Sequence, residues 1–259
     1  MGRSEHHIFL STPMTAPLMS ALARSLSTGR KALRRAGHGE PVLGPGAHGG
    51  LHLDAAVFGS AEQGLERFFI GCGARARAFK EQINGPVGRL VIPLPGYEAI
   101  YPHLWRDLAA AQSVAPFADL APALAERQRG WIEAISEIVA AFQPRELILL
   151  TGEVTLAEAA EALAPGAALD LAPVPVRKLP ETGLAMLQRL YADGVTPPAR
   201  QIRRLMQFHA RLPQTAPVAA FDPLVAVRLQ RRFAHEIERF AAHPMVRIGV
   251  PPRLSVVAA

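Results

Sequence analysis

Three short stretches of the chain are apolar at consecutive rather than alternate positions: His7 to Leu10, Leu90 to Leu94 within GRLVIPLPG, and Leu147 to Thr151 within PRELILLTGE. A strand with one solvated face alternates apolar and polar residues, whereas a strand covered on both faces does not. These runs therefore predict buried strands of a mainly parallel sheet. Each is followed by a turn signal and then by apolar residues at helical spacing, so the pattern predicts an α/β domain with helices packed on the sheet. After the first run, Leu18, Leu22 and Leu26 share one helical face, and Arg30, Lys31, Arg34 and Arg35 form a basic end. After the second, YEAIYPHLWRDLAAA reads as a helix in which Pro102 must sit in the first turn or make a kink. Leu120, Leu124, Trp131, Ile135 and Ile138 repeat at near-helical spacing from Asp119 to Phe142 and lead into the third strand as a crossover. Thr155 and Glu158 have the spacing of a capping box in front of a further helix.

The pattern changes at Ala172. A proline-rich connection, APVPVRKLP, precedes stretches that read only as helices: Glu181 to Ala192, Pro198 to Arg211 and Pro223 to Ala242. We read one α/β domain over residues 1–259, with a sheet-containing core in 1–171 and a helical C-terminal subdomain in 172–259. The glycine-rich stretch from Gly37 to Gly50 reads as a loop.

Composition narrows the functional classes. With 49% hydrophobic and 19% charged residues the balance is that of a globular protein, which excludes wholesale disorder. No apolar run approaches the roughly 18 to 20 residues needed to span a bilayer. Ile8 to Ala23 is uncharged and ends small-x-small, as a secretory signal does. Glu5 before it and Pro13 and Pro17 within it interrupt that pattern, so a cytoplasmic location is expected. The single cysteine, Cys72, makes no internal disulfide, and no Cys/His spacing suggests a metal, so none is expected. A net charge of +6 favours polyanionic partners without choosing among them.

The first strand ends in STPMTAPLM and a helix follows, which is where many α/β folds hold a phosphate on converging backbone N–H groups. Ser11, Thr12 and Thr15 supply hydroxyls there, and Thr15 suits both a helix cap and an anion donor. The loop has neither glycine nor lysine, and no G-x-x-x-x-G-K-S/T or G-x-G-x-x-G follows any predicted strand.

In its order of elements the chain resembles the bacterial sulfotransferase-like proteins, a P-loop-type family that takes its sulfuryl group from phosphoadenosine phosphosulfate. HIFLSTPMTAPLMSALARSL resembles the family's opening strand, loop and helix. GRLVIPLPGYEAIYPHLW resembles its central strand-turn-helix, RKLPETGLAMLQRLYADG a C-terminal segment, and DPLVAVRLQRRFAHEIERFA the closing helix. The resemblance implies a parallel sheet of the P-loop sulfotransferase type, a donor loop at Ser11, Thr12 and Thr15, and a carbohydrate or other hydroxyl-bearing acceptor. The departures fall on the chemistry: Thr12 stands for the family's lysine, Met14 for a glycine, Pro95 for an arginine and Pro102-His103 for a serine. Because sulfuryl transfer depends on positive charge against the equatorial oxygens, these departures imply either charge brought from elsewhere, for example Arg75 or Arg106, or a non-catalytic relative. The alternative class is a non-enzymatic glycan- or polyanion-binding protein that uses its arginine-rich helical faces.

Three further residues carry acid-base potential. His103 follows the second strand and Glu153 the third, at the sheet edge where sites collect. His52 lies in HGGLHLD with His48 and Asp54, as a general base near an acceptor or, on a helix, half of a metal pair that the glycines disfavour. Cys72 sits near Arg75 and Arg77, which would lower an exposed thiol's pKa.

Overall fold

A computed structural model describes residues 5–46, 50–59, 64–175, 179–213 and 216–249. The fold is α/β, largely helical, around a single six-stranded parallel sheet in the order β2-β3-β1-β4-β5-β6. The strands are β1 (His6–Leu10), β2 (Glu40–Leu43), β3 (Gly50–Asp54), β4 (Val87–Leu94), β5 (Glu146–Thr151) and β6 (Val246–Ile248). The three apolar runs are the three central strands β1, β4 and β5. Their alternate side chains enter two separate cores: Ile8, Leu90, Ile92 and Leu149 face one side, Phe9, Val91, Ile148 and Leu150 the other. With both faces covered, neither set can be polar, which is why these runs do not alternate.

Helices α1 (Ala16–Thr28), α2 (Arg30–Arg35) and α7 (Leu156–Leu163) cover one face of the sheet. The other is covered by α3 (Cys72–Glu81), α4 (Tyr97–Ala109), α5 (Phe117–Ala125), α6 (Trp131–Phe142) and α10 (Pro223–Ala241), with α8 (Glu181–Ala192) and α9 (Ala199–His209) further out. Leu18, Leu22 and Leu26 are buried together as their spacing predicts. The continuous periodicity from Asp119 to Phe142 is instead two helices, because the chain breaks at residues 126–130 and restarts at Gly130. Pro102 lies inside α4, past its first turn.

Two expectations are corrected. The stretch read as a loop up to Gly50 contains strand β2, and Gly50 itself opens β3. A Cβ at Gly50 would meet the Glu40 carbonyl at 2.5 Å, so this glycine permits the close approach of two strands and does not mark a flexible turn. The segment after Ala172, read as purely helical, ends in β6, which pairs with β5 through Leu147 and Val246.

The capping box is present. Thr155 Oγ1 accepts from the Glu158 N–H at 3.2 Å, and the Glu158 carboxylate accepts from the Thr155 N–H at 2.8 Å. Thr155→Ala should lower stability by about 1 kcal/mol, read as a shift in the urea midpoint at unchanged slope.

Candidate functional site

In an open parallel sheet, a crevice forms where neighbouring strands send their chains in opposite directions. Here β1 leads through α1 to β2 on one side, and β4 leads through α4 towards β5 on the other. The crevice therefore falls at the carboxyl ends of β1 and β4, which continue into residues 11–15 and 95–96. Beside it lies a cleft of about 730 Å³, within the range of small-molecule sites. Pro13, Met14 and Pro17 line one wall, and Pro175 and Leu179 from the proline-rich connection line another. Among the described residues His103, Arg106 and Asp107 of α4, with Ser20 of α1, supply its polar side chains.

The loop at 11–15 is closed on itself. Ser11 N–H donates to the Asp54 carbonyl at 2.7 Å, Thr12 N–H to the Thr15 hydroxyl at 3.0 Å, and Thr15 N–H to the Thr12 carbonyl at 3.0 Å. Ala16 N–H turns back to the Pro13 carbonyl, and Pro13 and Pro17 have no N–H to give. Ser11 Oγ and Thr12 Oγ1 lie 3.0 and 3.1 Å from Thr15 Oγ1, so three hydroxyls form one knot beneath the helix. Ser11 and Thr12 are fully buried within it. Thr15 is the N-cap residue of α1, as its position predicts, yet its side chain makes no capping bond to that helix. Four N–H groups that a phosphate cradle would aim outward are committed inward. Pro95 is buried, and its carbonyl accepts from the Trp131 indole N–H at 3.1 Å.

The sequence-predicted residues do not converge on one point. His103 does reach the cleft, where Nε2 is 3.4 Å from Asp107 Oδ2, one helical turn on. Arg106 is beside it, and its guanidinium holds Glu181 Oε1 at 3.0 and 3.1 Å, so this charge enters the cleft already partnered. Arg75 is elsewhere, donating to the Val57 carbonyl at 2.8 Å. Glu153 is exposed between β5 and α7 and does not line the cleft.

His52 is a correction of another kind. It is fully buried on β3, with Nδ1 3.1 Å from the Gly44 carbonyl and Nε2 2.8 Å from His6 Nδ1. A carbonyl only accepts, so His52 carries its hydrogen on Nδ1 and accepts from His6 on Nε2. Its lone pair is thus in use, and burial holds its pKa below the ordinary imidazole value. A base so placed has nothing to offer an acceptor. His48 lies outside the described residues, and Asp54 spends its carboxylate on the N–H groups of Ala56 and Val57, at 2.8 and 2.9 Å. Among the described residues no His, Cys, Asp or Glu cluster suits a metal ion. Cys72 is buried as well. Burial and the Glu137 carboxylate push its thiol up, the reverse of the shift expected from Arg75 and Arg77.

The sequence reading missed Asp107 and Glu181. The i, i+4 spacing of His103 and Asp107 on a predicted helix was the available signal for the first. Nothing local marks Glu181, which meets Arg106 only because α8 packs on α4.

No family model, curated protein or solved structure matches this chain. The functional reading rests on the cleft and the loop beneath it.

Proposed function

We propose that the chain is a binding protein on a sulfotransferase-like α/β scaffold, which recognises a carbohydrate or similar hydroxyl-rich ligand in the α1/α4 cleft without transferring a sulfuryl group. One observation carries the reading: the Thr15 hydroxyl accepts the Thr12 N–H and is knotted to Ser11 and Thr12, so in the loop that would hold the donor's phosphate the N–H groups of Ser11, Thr12 and Thr15 are already bonded within the protein. Transfer would need strong positive charge at the reacting oxygens. Among the described residues the one arginine lining the cleft, Arg106, is neutralised by Glu181. The described lining suits a neutral polyol. Asp107, His103 and Arg106 present acceptors and donors in a row, and Pro13, Met14, Pro17 and Leu179 present an apolar wall to the C–H face of a sugar ring.

The test compares thermal stabilisation by adenosine 3′,5′-bisphosphate with that by neutral oligosaccharides from a glycan array, since a ligand specific to the folded state raises the midpoint. At about 1 mM, the bisphosphate should leave the midpoint unchanged, whereas an array-positive oligosaccharide should raise it by a few degrees and fail to do so for Asp107→Asn. A saturable bisphosphate shift that Thr15→Ala weakens would overturn the reading in favour of a working donor site. An array with no positive glycan would remove its carbohydrate half.

A further inference from the structure

We propose that the outer face of α9 is a docking surface for a membrane bearing anionic phospholipid. This stands apart from the cleft and rests on how α9 sits on the fold. Among the described residues the helix is held along α8: Met206 and His209 pack against Gly183, and His209 Nδ1 lies 3.0 Å from Thr182 Oγ1. None of its residues is fully buried. Arg200, Arg203 and Arg204, with Arg211 just past its end, are all exposed. At helical spacing Arg200, Arg203 and Arg204 share a stripe about 100° wide on the side away from α8, and Arg211 follows in the turn beyond the helix.

These arginines differ from Arg228 and Arg232 of α10. Arg228 and Arg232 are paired with Glu126 and Glu236, whereas Arg200, Arg203, Arg204 and Arg211 make no ion pair among the described residues. The sequence provides them none nearby: between Asp193 and Asp222 there is no carboxylate. A run of unneutralised guanidinium groups on one face complements a surface of phosphates, which the planar fork binds in pairs.

A sulfated glycan or a duplex would be served by charge alone. The face also carries Phe208, 61% exposed, one turn from Arg204 and beside Arg211, with Leu212 38% exposed one turn further on. Large apolar side chains at the end of a basic stripe fit the boundary between headgroups and acyl chains, where arginine meets phosphate and the ring enters hydrocarbon. The inner face is committed to α8, so α9 would lie flat on the surface. No helix among the described residues is long and apolar enough to cross a membrane.

The experiment is co-sedimentation of the whole chain with phosphatidylcholine vesicles, either pure or with about one-third phosphatidylserine, at low and at physiological salt. Binding should require phosphatidylserine and weaken with salt. Arg203→Gln with Arg204→Gln should lower vesicle affinity about thirtyfold. Phe208→Ala keeps the charge and should lower vesicle affinity about fivefold while leaving binding to heparin unchanged. These side chains are exposed, so the variants should melt with the parent, and circular dichroism verifies it. Absence of binding to the anionic vesicles, or binding indifferent to the double arginine variant, overturns the proposal. So does retention of a single-stranded oligonucleotide without vesicle binding, which would make the face a nucleic-acid surface. Equal loss of heparin and vesicle binding only with the arginines, and none with Phe208→Ala, would reduce it to a general polyanion site.

Discussion

Glu236→Ala should destabilise the protein by about 3 to 5 kcal/mol, because it breaks a buried ion pair and leaves its partners uncompensated. The carboxylate sits on α10 at 6% exposure, between a phenol and a guanidinium. Tyr97, the first residue of α4, donates its hydroxyl to Glu236 Oε2 at 2.5 Å and accepts the Trp131 N–H at 2.7 Å. Arg232 Nε donates to Glu236 Oε1 at 2.9 Å, its other nitrogens reach the carbonyls of Arg127 and Gln128, and its guanidinium lies 4.7 Å from the Tyr97 ring centre. Burial and the neighbouring carboxylate hold the Tyr97 hydroxyl well above the ordinary phenol value, so it stays a donor throughout the working pH range. One carboxylate thus joins the exit of β4, the break before α6 and the last long helix. Urea titration measures the loss. Glu236→Gln keeps the shape and should cost less, while Tyr97→Phe strands the Trp131 N–H at about 1 to 3 kcal/mol. A loss below about 1 kcal/mol for Glu236→Ala would mean that packing alone holds these elements.

The second large effect is a loss of stability in mild acid. His7 on β1 is held down to about 4 by burial, then by Arg89 and His38, and its Nδ1 is buried without a partner. His52 is shifted in the same direction by burial. Above pH 6.5 both states are neutral at His7 and stability is at its plateau. Between pH 6.5 and 4 the unfolded chain takes a proton that the folded chain refuses, so stability falls as pH falls through that window. For His7 alone the loss reaches about 3 kcal/mol by pH 4. Urea midpoints measured from pH 7.5 to 5 test this above the range where exposed carboxylates titrate, with only Glu98, which burial raises, acting in the opposite sense among the described carboxylates shifted upward. His7→Gln, which cannot protonate, should flatten the slope. A pH-independent midpoint across that window would show that water or a rearranged strand accepts the proton at no cost.

The legible parts of the fold were those where burial leaves a one-dimensional trace. β1, β4 and β5 carry consecutive apolar residues, Ile8–Leu10, Leu90–Leu94 and Leu147–Leu150, because helices cover both sides, and α1 repeats its leucines because one side meets the sheet. The edge strands β2 and β6, and the interior strand β3, lack that trace. β2 is only half covered and carries Pro41, β3 is interrupted in hydropathy by His52, and β6 is three residues with an exposed arginine. Their membership depends on what lies beside them: Gly50 under the Glu40 carbonyl, and His52 on His6. The site was legible to the same extent. The loop after β1 and His103 after β4 follow from the strand order, whereas the hydroxyl knot of Ser11, Thr12 and Thr15 and the Arg106–Glu181 pair are tertiary facts. A serine or threonine in such a loop reads the same whether its hydroxyl points to a ligand or to its neighbour.

The strand β6 also bears on how the chain acquires its structure. It closes the sheet against β5, yet α7, α8, α9 and α10 are made between the two. On the ribosome, β5 leaves the tunnel with one edge bare, and the Tyr97 hydroxyl waits as long for Glu236. Pairings so distant in sequence make for slow folding, and an uncovered apolar strand is vulnerable to association meanwhile. Until α10 and β6 arrive, that strand edge and that hydroxyl both stay uncovered.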